Sequence, residues 1–248
     1  MIISVVNHTN MPDLRIERAI RAINRQITED FEPYWSMGAT LRLEGRIAEN
    51  PDLRLMAASM RGDAIIYVED EFDEDDPLGF HNRNHQGIPF GFVYTGLAEA
   101  LQEPWEVTLS HEALELLADP EVNLLVMGPH PNEPDRDVFH WYEMCDAVQA
   151  EHYEIDGVPV SNFVLPLYFT GGDEVGGRND YLGTTLQSFG VNPGGYVGFF
   201  DPNLGDHDTV LADDVARKRS ALKARFGSAR RSTRYKRKGT QRPSRKVA

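Results

Sequence analysis

The chain has 248 residues, of which 41% are hydrophobic and 26% are charged. This length and composition predict a folded protein with a full hydrophobic core, and no apolar run is long enough to span a membrane. The first residues lack the basic start of a signal peptide, and the lone Cys145 excludes an intramolecular disulfide framework. We therefore expect a protein of the reducing cytoplasm.

Charge is distributed very unevenly along the chain. Residues 1–214 contain all 39 acidic residues, 11 arginines and no lysine, which gives a net charge of −28. Residues 215–248 contain 14 lysines and arginines and no acid. The sequence therefore predicts one acidic folded domain over residues 1–212, followed by a basic helix and a disordered basic tail over residues 213–248.

The predicted elements of the first half follow no simple alternation of strand and helix. Concentrations of β-branched and aromatic residues predict four strands, over residues 2–6, 34–43, 63–68 and 88–94. Helical spacing of apolar residues predicts one helix over residues 12–27 and a second that Asp119-Pro120 ends. This β-α-β-β-β-α order favours an α+β fold with a mixed sheet over repeated βαβ units.

The second half is predicted to consist mostly of short strands and loops. Over residues 122–167, short strands alternate with turns such as Gly128-Pro129 and Asp156-Gly157. Residues 170–200 are rich in glycine, asparagine and proline, which is typical of loops and tight turns. We therefore expect a loop-rich C-terminal part, with a last helix over residues 213–226.

The helix that ends before Asp119 carries the side chains with the most chemistry. His111 and Glu115 are one turn apart and share a face, so an imidazole and a carboxylate can bind one metal ion there. Glu112 is then free to act as a base. The alternative is an ordinary amphipathic helix, in which these three polar side chains are solvated while the neighbouring leucines pack inward.

A metal site needs further ligands, and the segment from His140 to Asp146 supplies candidates. Glu143 and Asp146 are three residues apart, so on a helical turn both face the same way. One of them can bind the metal while the other orients the ligand histidine. His140 is a rival third ligand and Cys145 is a poorer one. The alternative is an exposed helical turn that its aromatic residues anchor.

Three short motifs carry a resemblance to a known family: H-E-x-x-E at residues 111–115, D-P at 119–120 and E-x-x-D at 143–146. Together they resemble a group of uncharacterised bacterial and phage-associated zinc metallopeptidases, and more distantly the zincins. The resemblance covers residues 79–169. It implies a zincin-like mixed sheet with an active-site helix, and it places residues 88–94 at the upper-rim edge strand of that sheet.

The expected activity is metal-dependent hydrolysis of a peptide bond in a peptide or protein substrate. The metal polarises the scissile carbonyl and activates its bound water, while Glu112 takes the proton and delivers it to the leaving amine. Tyr142, Tyr168 and His85 are candidates for stabilising the oxyanion, and the edge strand pairs with an extended substrate. Zinc is the expected ion, although Glu115 in place of a histidine also suits manganese or calcium.

The basic tail supports a second class of function. Its arginines and lysines suit nucleic acid or another polyanion, and equally they suit folding back on the acidic body or keeping the protein in solution. The alternative to a peptidase is a non-catalytic structural or binding protein that retains the zincin-like fold. Such a protein binds polyanions or an assembly partner through the tail. The acidic run at residues 69–76 is expected to be a solvated loop, with loose calcium binding as the weaker alternative.

Overall fold

The computed structural model of the protein describes residues 1–44, 62–70, 80–83, 87–171 and 177–226. His85, most of the acidic run and the basic tail from residue 227 lie outside these ranges. No helix within them is both long enough and apolar enough to cross a bilayer.

Five strands form the first sheet, in the order β2-β1-β3-β5-β4. They are β1 (Ile2–Asn7), β2 (Thr40–Glu44), β3 (Ala64–Glu69), β4 (Phe80–Arg83) and β5 (Pro89–Tyr94). All neighbours are parallel except β4, which runs antiparallel to β5. In the central register Val5 lies opposite Leu43 and Ile66. Strands β1 and β3 are buried along most of their length, as expected of parallel strands that are covered on both faces.

The prediction that residues 88–94 form the edge strand is wrong. In β5, Phe92 lies opposite Tyr67 of β3 on one side and opposite Phe80 of β4 on the other. Within residues 1–44, 62–70 and 80–94 as far as they are described, the outer strand is therefore β4, which the sequence did not predict. The segment Phe-His-Asn-Arg is too short and too polar to show a strand pattern, and its pairing with β5 decides its conformation.

Helix α1 (Asp13–Arg25) packs its isoleucine-rich face on the sheet and continues as a π-helical segment, Gln26–Phe31. A short helix α2 (Glu32–Trp35) follows, so the predicted strand over residues 34–43 begins only at Thr40. Trp35 has a high strand propensity, but its indole Nε1 donates to the Val164 carbonyl at 3.0 Å. That tertiary contact holds Trp35 in α2.

Two helices follow β5, and strands later in the chain form a second sheet. The helices are α3 (Thr95–Ala100) and α4 (Trp105–Ala118). The second sheet is antiparallel in the order β11-β10-β7-β6, made of β6 (Leu125–His130), β7 (Glu133–Trp141), β10 (Tyr196–Asp201) and β11 (Asp206–Leu211). Strand β10 lies at the end of the region predicted to be loops, and β11 directly follows it.

A hairpin of β8 (His152–Ile155) and β9 (Val158–Ser161) completes the fold, and the last helix α5 spans Asp214–Phe226, as predicted. Helix α4 lies in the middle, packed against β5 and β4 on one side and against β9 on the other. The larger of two hydrophobic clusters joins α1, α4 and the first sheet to the β8–β9 hairpin, and a smaller one lies around Val6, Ile65 and Tyr67. The α+β class predicted from the sequence is confirmed.

Candidate metal centre

The three polar side chains of the α4 motif lie inside the protein. Glu112 is 3% exposed, Glu115 is fully buried and the His111 side chain is 12% exposed. The interpretation of α4 as an ordinary amphipathic helix with a solvated polar face is therefore wrong, because the helix is enclosed on nearly every side. Buried ionisable groups are costly unless opposite charges compensate them, so this cluster requires a cationic partner or bound protons.

The imidazole of His111 contacts two carboxylates. Its Nε2 lies 3.1 Å from Oε1 of Glu115, one helical turn away, and 3.3 Å from Oδ1 of Asp146. Glu115, Glu143 and Asp146 each place a carboxylate oxygen within 4.8 Å of one another. The structure thus brings together the four residues that the sequence proposed as metal ligands.

The segment that carries Glu143 and Asp146 is neither a helical turn nor exposed. Strand β7 ends at Trp141, the chain bends, and a 3₁₀ turn begins at Asp146. Glu143 is 8% exposed and Asp146 is 3% exposed. The bend is held by the Cys145 backbone N–H, which donates to Oε1 of Glu115 at 3.4 Å. The two carboxylates therefore converge as predicted, but by a different local geometry.

The two remaining candidate ligands, His140 and Cys145, differ in their position relative to the cluster. His140 lies outside the cluster, since its Nε2 is 2.8 Å from the Pro129 carbonyl and its ring packs on Phe189. Cys145 lies close to His111 and Glu115 in a second group of side chains within 4.8 Å of one another. Burial raises the pKa of the Cys145 thiol well above its usual value, and the charge of Glu115 raises it further. A metal ion bound by this group would have to displace the thiol proton, as it would the proton of His111.

Two of the three oxyanion candidates can be located. The Tyr168 hydroxyl is buried and donates to the Gly190 carbonyl at 2.8 Å. Burial raises its pKa, and so does the charge of nearby Asp146. Tyr142 is half-buried, and burial together with the charge of Asp119 raises its pKa. Both phenols therefore remain protonated hydrogen-bond donors at neutral pH.

The charge balance of the cluster favours a cation. Burial by itself would lower the pKa of His111, but the charge of Glu115, the contacts with Asp146 and Glu115 and the charge of Glu112 raise it to about 10. His111 is then an imidazolium in the metal-free protein. Four buried carboxylates around this single positive charge leave three negative charges in excess if all are ionised. A divalent cation fits this imbalance better than a neutral ligand does.

The spacing of the donor atoms also fits a metal. Two ligands that are each about 2.0 Å from a tetrahedral zinc ion lie about 3.3 Å apart. The separations of His111 Nε2 from the Glu115 and Asp146 oxygens, 3.1 and 3.3 Å, are close to this value. One imidazole with carboxylates is a donor set that zinc accepts, and its hardness also suits manganese.

We expect the affinity for zinc to rise with pH, because zinc must displace the proton of His111. With a pKa of about 10, that proton is bound throughout the neutral range, so the apparent affinity should increase by up to about tenfold per pH unit from pH 7 to 9. The stability of the metal-free protein should change with pH in the opposite direction. The His111 imidazolium contributes fully to the free energy of unfolding below pH 6.5, and this contribution is lost as pH rises through about 10. Competition with a chromophoric chelator measures the zinc affinity.

The matched control for this pH series is His8→Ala, which removes a partly exposed histidine beside Glu69. This variant should keep the slope of the wild type. A zinc affinity that does not change between pH 7 and 9 would show that His111 is not the group displaced.

Residues that anchor the middle of the site helix, one position before His111, were not predicted from the sequence. Ser110 Oγ donates to Gln26 Oε1 at 2.6 Å and accepts the Ser161 backbone N–H at 3.0 Å. Gln26 Nε2 donates to the Ser161 carbonyl at 2.8 Å, and all three residues are fully buried. The sequence contained one indication that Gln26 is a buried hydrogen-bonding residue, because it follows Ile23 at helical spacing on an otherwise apolar face.

The fold and the site define an α+β protein with a buried histidine–carboxylate centre on its central helix. Comparisons of the chain with protein-family profiles, curated proteins and solved structures found no match. A function has to be inferred from the residues of the centre themselves.

Proposed function

We propose that the protein is a metal-dependent peptidase, with zinc the expected ion and His111, Glu115, Glu143 and Asp146 as its ligand set. The observation that carries the proposal is the buried contact of His111 with both Glu115 and Asp146. The likeness of the H-E-x-x-E motif to that of zinc metallopeptidases supports it. A carboxylate in place of the second histidine remains a legitimate zinc ligand.

The roles of the residues follow from their positions. A divalent metal held by this set supplies polarisation of the scissile carbonyl and acidification of a water molecule. Glu112 accepts the proton of that water and passes it to the leaving amine. Glu112 directly follows His111 on α4 and is buried as the ligand residues are. The half-buried Tyr142 is the phenol we assign to the oxyanion, because the hydroxyl of Tyr168 already donates to Gly190.

The substrate site that fits this assignment runs along β4. Strand β4 is the outer strand of its sheet among the described residues, and α4 packs against it. An outer strand presents backbone N–H and C=O groups that pair with an extended peptide. We therefore propose that a peptide binds alongside β4 and passes the metal centre. This assignment replaces the earlier expectation that residues 88–94 perform that role.

The first experiment is to measure the metal content of the purified protein by elemental mass spectrometry. We expect about one zinc ion per chain, and its loss in His111→Ala, because His111 is the only nitrogen ligand in the proposed set. His152→Ala is the matched control, since it removes an exposed histidine on β8 and should retain the metal. A wild-type protein without bound divalent metal would overturn the peptidase proposal.

The burial of the cluster favours a second candidate, a non-catalytic protein that uses the metal for stability. All four carboxylates are at most 8% exposed, which resembles a closed structural site more than an open catalytic one. Such a protein would bind a polyanion or an assembly partner through the basic segment that begins at residue 215. Stoichiometric zinc that raises thermal stability, without cleavage of any peptide in a broad library, would favour this candidate.

A further inference from the structure

The end of α4 is fixed by Asp119, a residue that the proposed mechanism does not use. Its backbone N–H donates to the Glu115 carbonyl at 2.8 Å, and its own carbonyl accepts the Val122 backbone N–H at 3.0 Å. Its side-chain Oδ2 accepts the Leu124 backbone N–H at 3.0 Å. Pro120 has no N–H and cannot continue the helix. Asp119 therefore joins the last turn of α4 to the turn that leads into β6.

The turn after Asp119 has a costly backbone conformation. Val122 has a φ of 53°, in the left-handed region that a β-branched residue rarely adopts. Such a conformation persists only where the surrounding contacts determine it. Two of these contacts are the hydrogen bonds that Asp119 accepts, at its carbonyl from Val122 and at its Oδ2 from Leu124. Asp119 thus holds this turn in one conformation.

Leu124 connects the turn to the segment that carries a proposed metal ligand. The Leu124 carbonyl accepts the Tyr142 backbone N–H at 3.3 Å, and Tyr142 directly precedes Glu143. Two hydrogen bonds, from Leu124 to Asp119 and from Tyr142 to Leu124, therefore link the Asp119 side chain to the residue before Glu143. We call this pair of hydrogen bonds the Asp119 tether.

The chain after Glu143 is fixed by other contacts. The Met144 carbonyl accepts the Val164 backbone N–H at 2.8 Å, and the Cys145 backbone N–H donates to Oε1 of Glu115 at 3.4 Å. The Asp119 tether fixes the backbone before Glu143, and these bonds fix it afterwards. The position of the Glu143 carboxylate therefore depends on both sets of contacts.

The surroundings of Asp119 indicate more than a role in stability. The residue is 3% exposed, and among the described residues its second oxygen, Oδ1, has no hydrogen-bond partner. A buried carboxylate oxygen without a partner costs free energy, which offsets the bond that Oδ2 accepts. His111, Glu115 and Asp119 follow one another at intervals of four residues, so Asp119 ends the face of α4 that carries the metal centre.

We propose that Asp119 is a positioning residue of the metal centre, which acts through the Asp119 tether to hold Glu143 among the other ligands. Asp119 is not itself a ligand in this assignment. The inference rests on the metal centre of the proposed function but not on peptide hydrolysis. Removal of a group that orients a metal ligand typically lowers metal affinity by about 10–100-fold.

The test is the zinc affinity of the full chain, measured by competition with a chromophoric chelator. Asp119→Ala removes the acceptor of the Leu124 N–H and should weaken zinc binding by at least about tenfold. Asp119→Asn keeps an oxygen for that N–H and should bind within about threefold of the wild type. Asp63→Ala is the matched control, because it removes an exposed carboxylate that accepts the Ile2 backbone N–H at 2.8 Å. This control should bind zinc as the wild type does.

A spectroscopic measurement separates positioning from a general loss of stability. Cobalt(II) takes the place of zinc, and its visible absorption depends on the geometry of the ligands. We expect the cobalt spectrum of Asp119→Ala to differ from that of the wild type, because Glu143 is displaced. The cobalt spectrum of Asp119→Asn should match that of the wild type.

An unchanged zinc affinity in Asp119→Ala, or equal losses in Asp119→Ala and Asp119→Asn, would overturn the inference and leave the metal centre standing. A wild-type protein that binds no zinc would overturn the centre and this inference with it. If Asp119→Ala fails to fold, as judged by circular dichroism, hydrogen exchange of the wild type decides. Zinc should slow exchange of the Leu124 and Tyr142 amides by at least about tenfold, because the coupling between ligands and tether is reciprocal. Unchanged exchange contradicts the assignment.

Discussion

Replacing Glu112 by glutamine is expected to slow peptide hydrolysis by about 10²–10⁴-fold while the protein keeps its metal. The amide has the size of the carboxylate but cannot accept a proton from water. Glu112 is not among the side chains that converge within 4.8 Å on Glu115 and Asp146, so its loss should leave the ligand set intact. Digestion of a proteome-derived peptide library, read by mass spectrometry at equal zinc occupancy, measures the effect.

Glu154→Gln is the matched control for this experiment, because it makes the same chemical change at an exposed position on β8. It should cleave at the rate of the wild type. Undiminished cleavage by Glu112→Gln would mean that another base acts or that a contaminating peptidase is measured. Loss of zinc in Glu112→Gln would instead place Glu112 among the ligands and leave the base unassigned.

Gln26→Ala is expected to give the largest loss of stability among the variants considered, about 3 kcal/mol. The substitution removes the acceptor of the Ser110 hydroxyl and the donor to the Ser161 carbonyl, and it leaves both groups buried without these bonds. It also opens a cavity between α1 and α4. For a domain of this size the melting temperature should fall by about 6–12 °C, measured by calorimetry.

The same variant should bind zinc more weakly, since Ser110 directly precedes His111 and fixes the start of the turn that carries it. Gln187→Ala is the control, because the Gln187 side chain is exposed and donates to the nearby Thr185 carbonyl, while its backbone carbonyl, which accepts from Gly190, is kept in the variant. A melting temperature of Gln26→Ala within about 1 °C of the wild type would show that the network contributes little to stability.

The parts of the centre that depend on local geometry could be predicted from the sequence. His111 and Glu115 meet because residues four apart on a helix are neighbours, and the apolar spacing of the segment indicates that helix. Asp146 meets His111 only because β7 and the following bend return the chain to α4. The sequence could suggest Asp146 as a partner, but it could not choose it over His140.

The predictions that the structure contradicts share one physical cause, which is packing between residues that are distant in the sequence. Glu115 is buried because the segment after β7 returns to α4, where the Cys145 backbone N–H donates to the Glu115 carboxylate. Strand β4 exists because it pairs with β5, although its own residues do not form a strand pattern. Trp35 stays in a helix because of its bond to the Val164 carbonyl. Each outcome depends on a residue far along the chain, which periodicity does not reveal.

The contacts that anchor the site helix join segments that leave the ribosome at very different times. Gln26 and Ser161 are 135 residues apart in sequence, yet one hydrogen bond joins them beside the middle of α4. A ribosome-bound chain that ends before Ser161 has the histidine and all four carboxylates but not the residue that completes this anchor of α4. We expect such a chain to remain without a formed centre, because contacts between distant segments are made late in folding. A hydrolase with this arrangement would remain inactive on the ribosome until most of its folded domain has emerged.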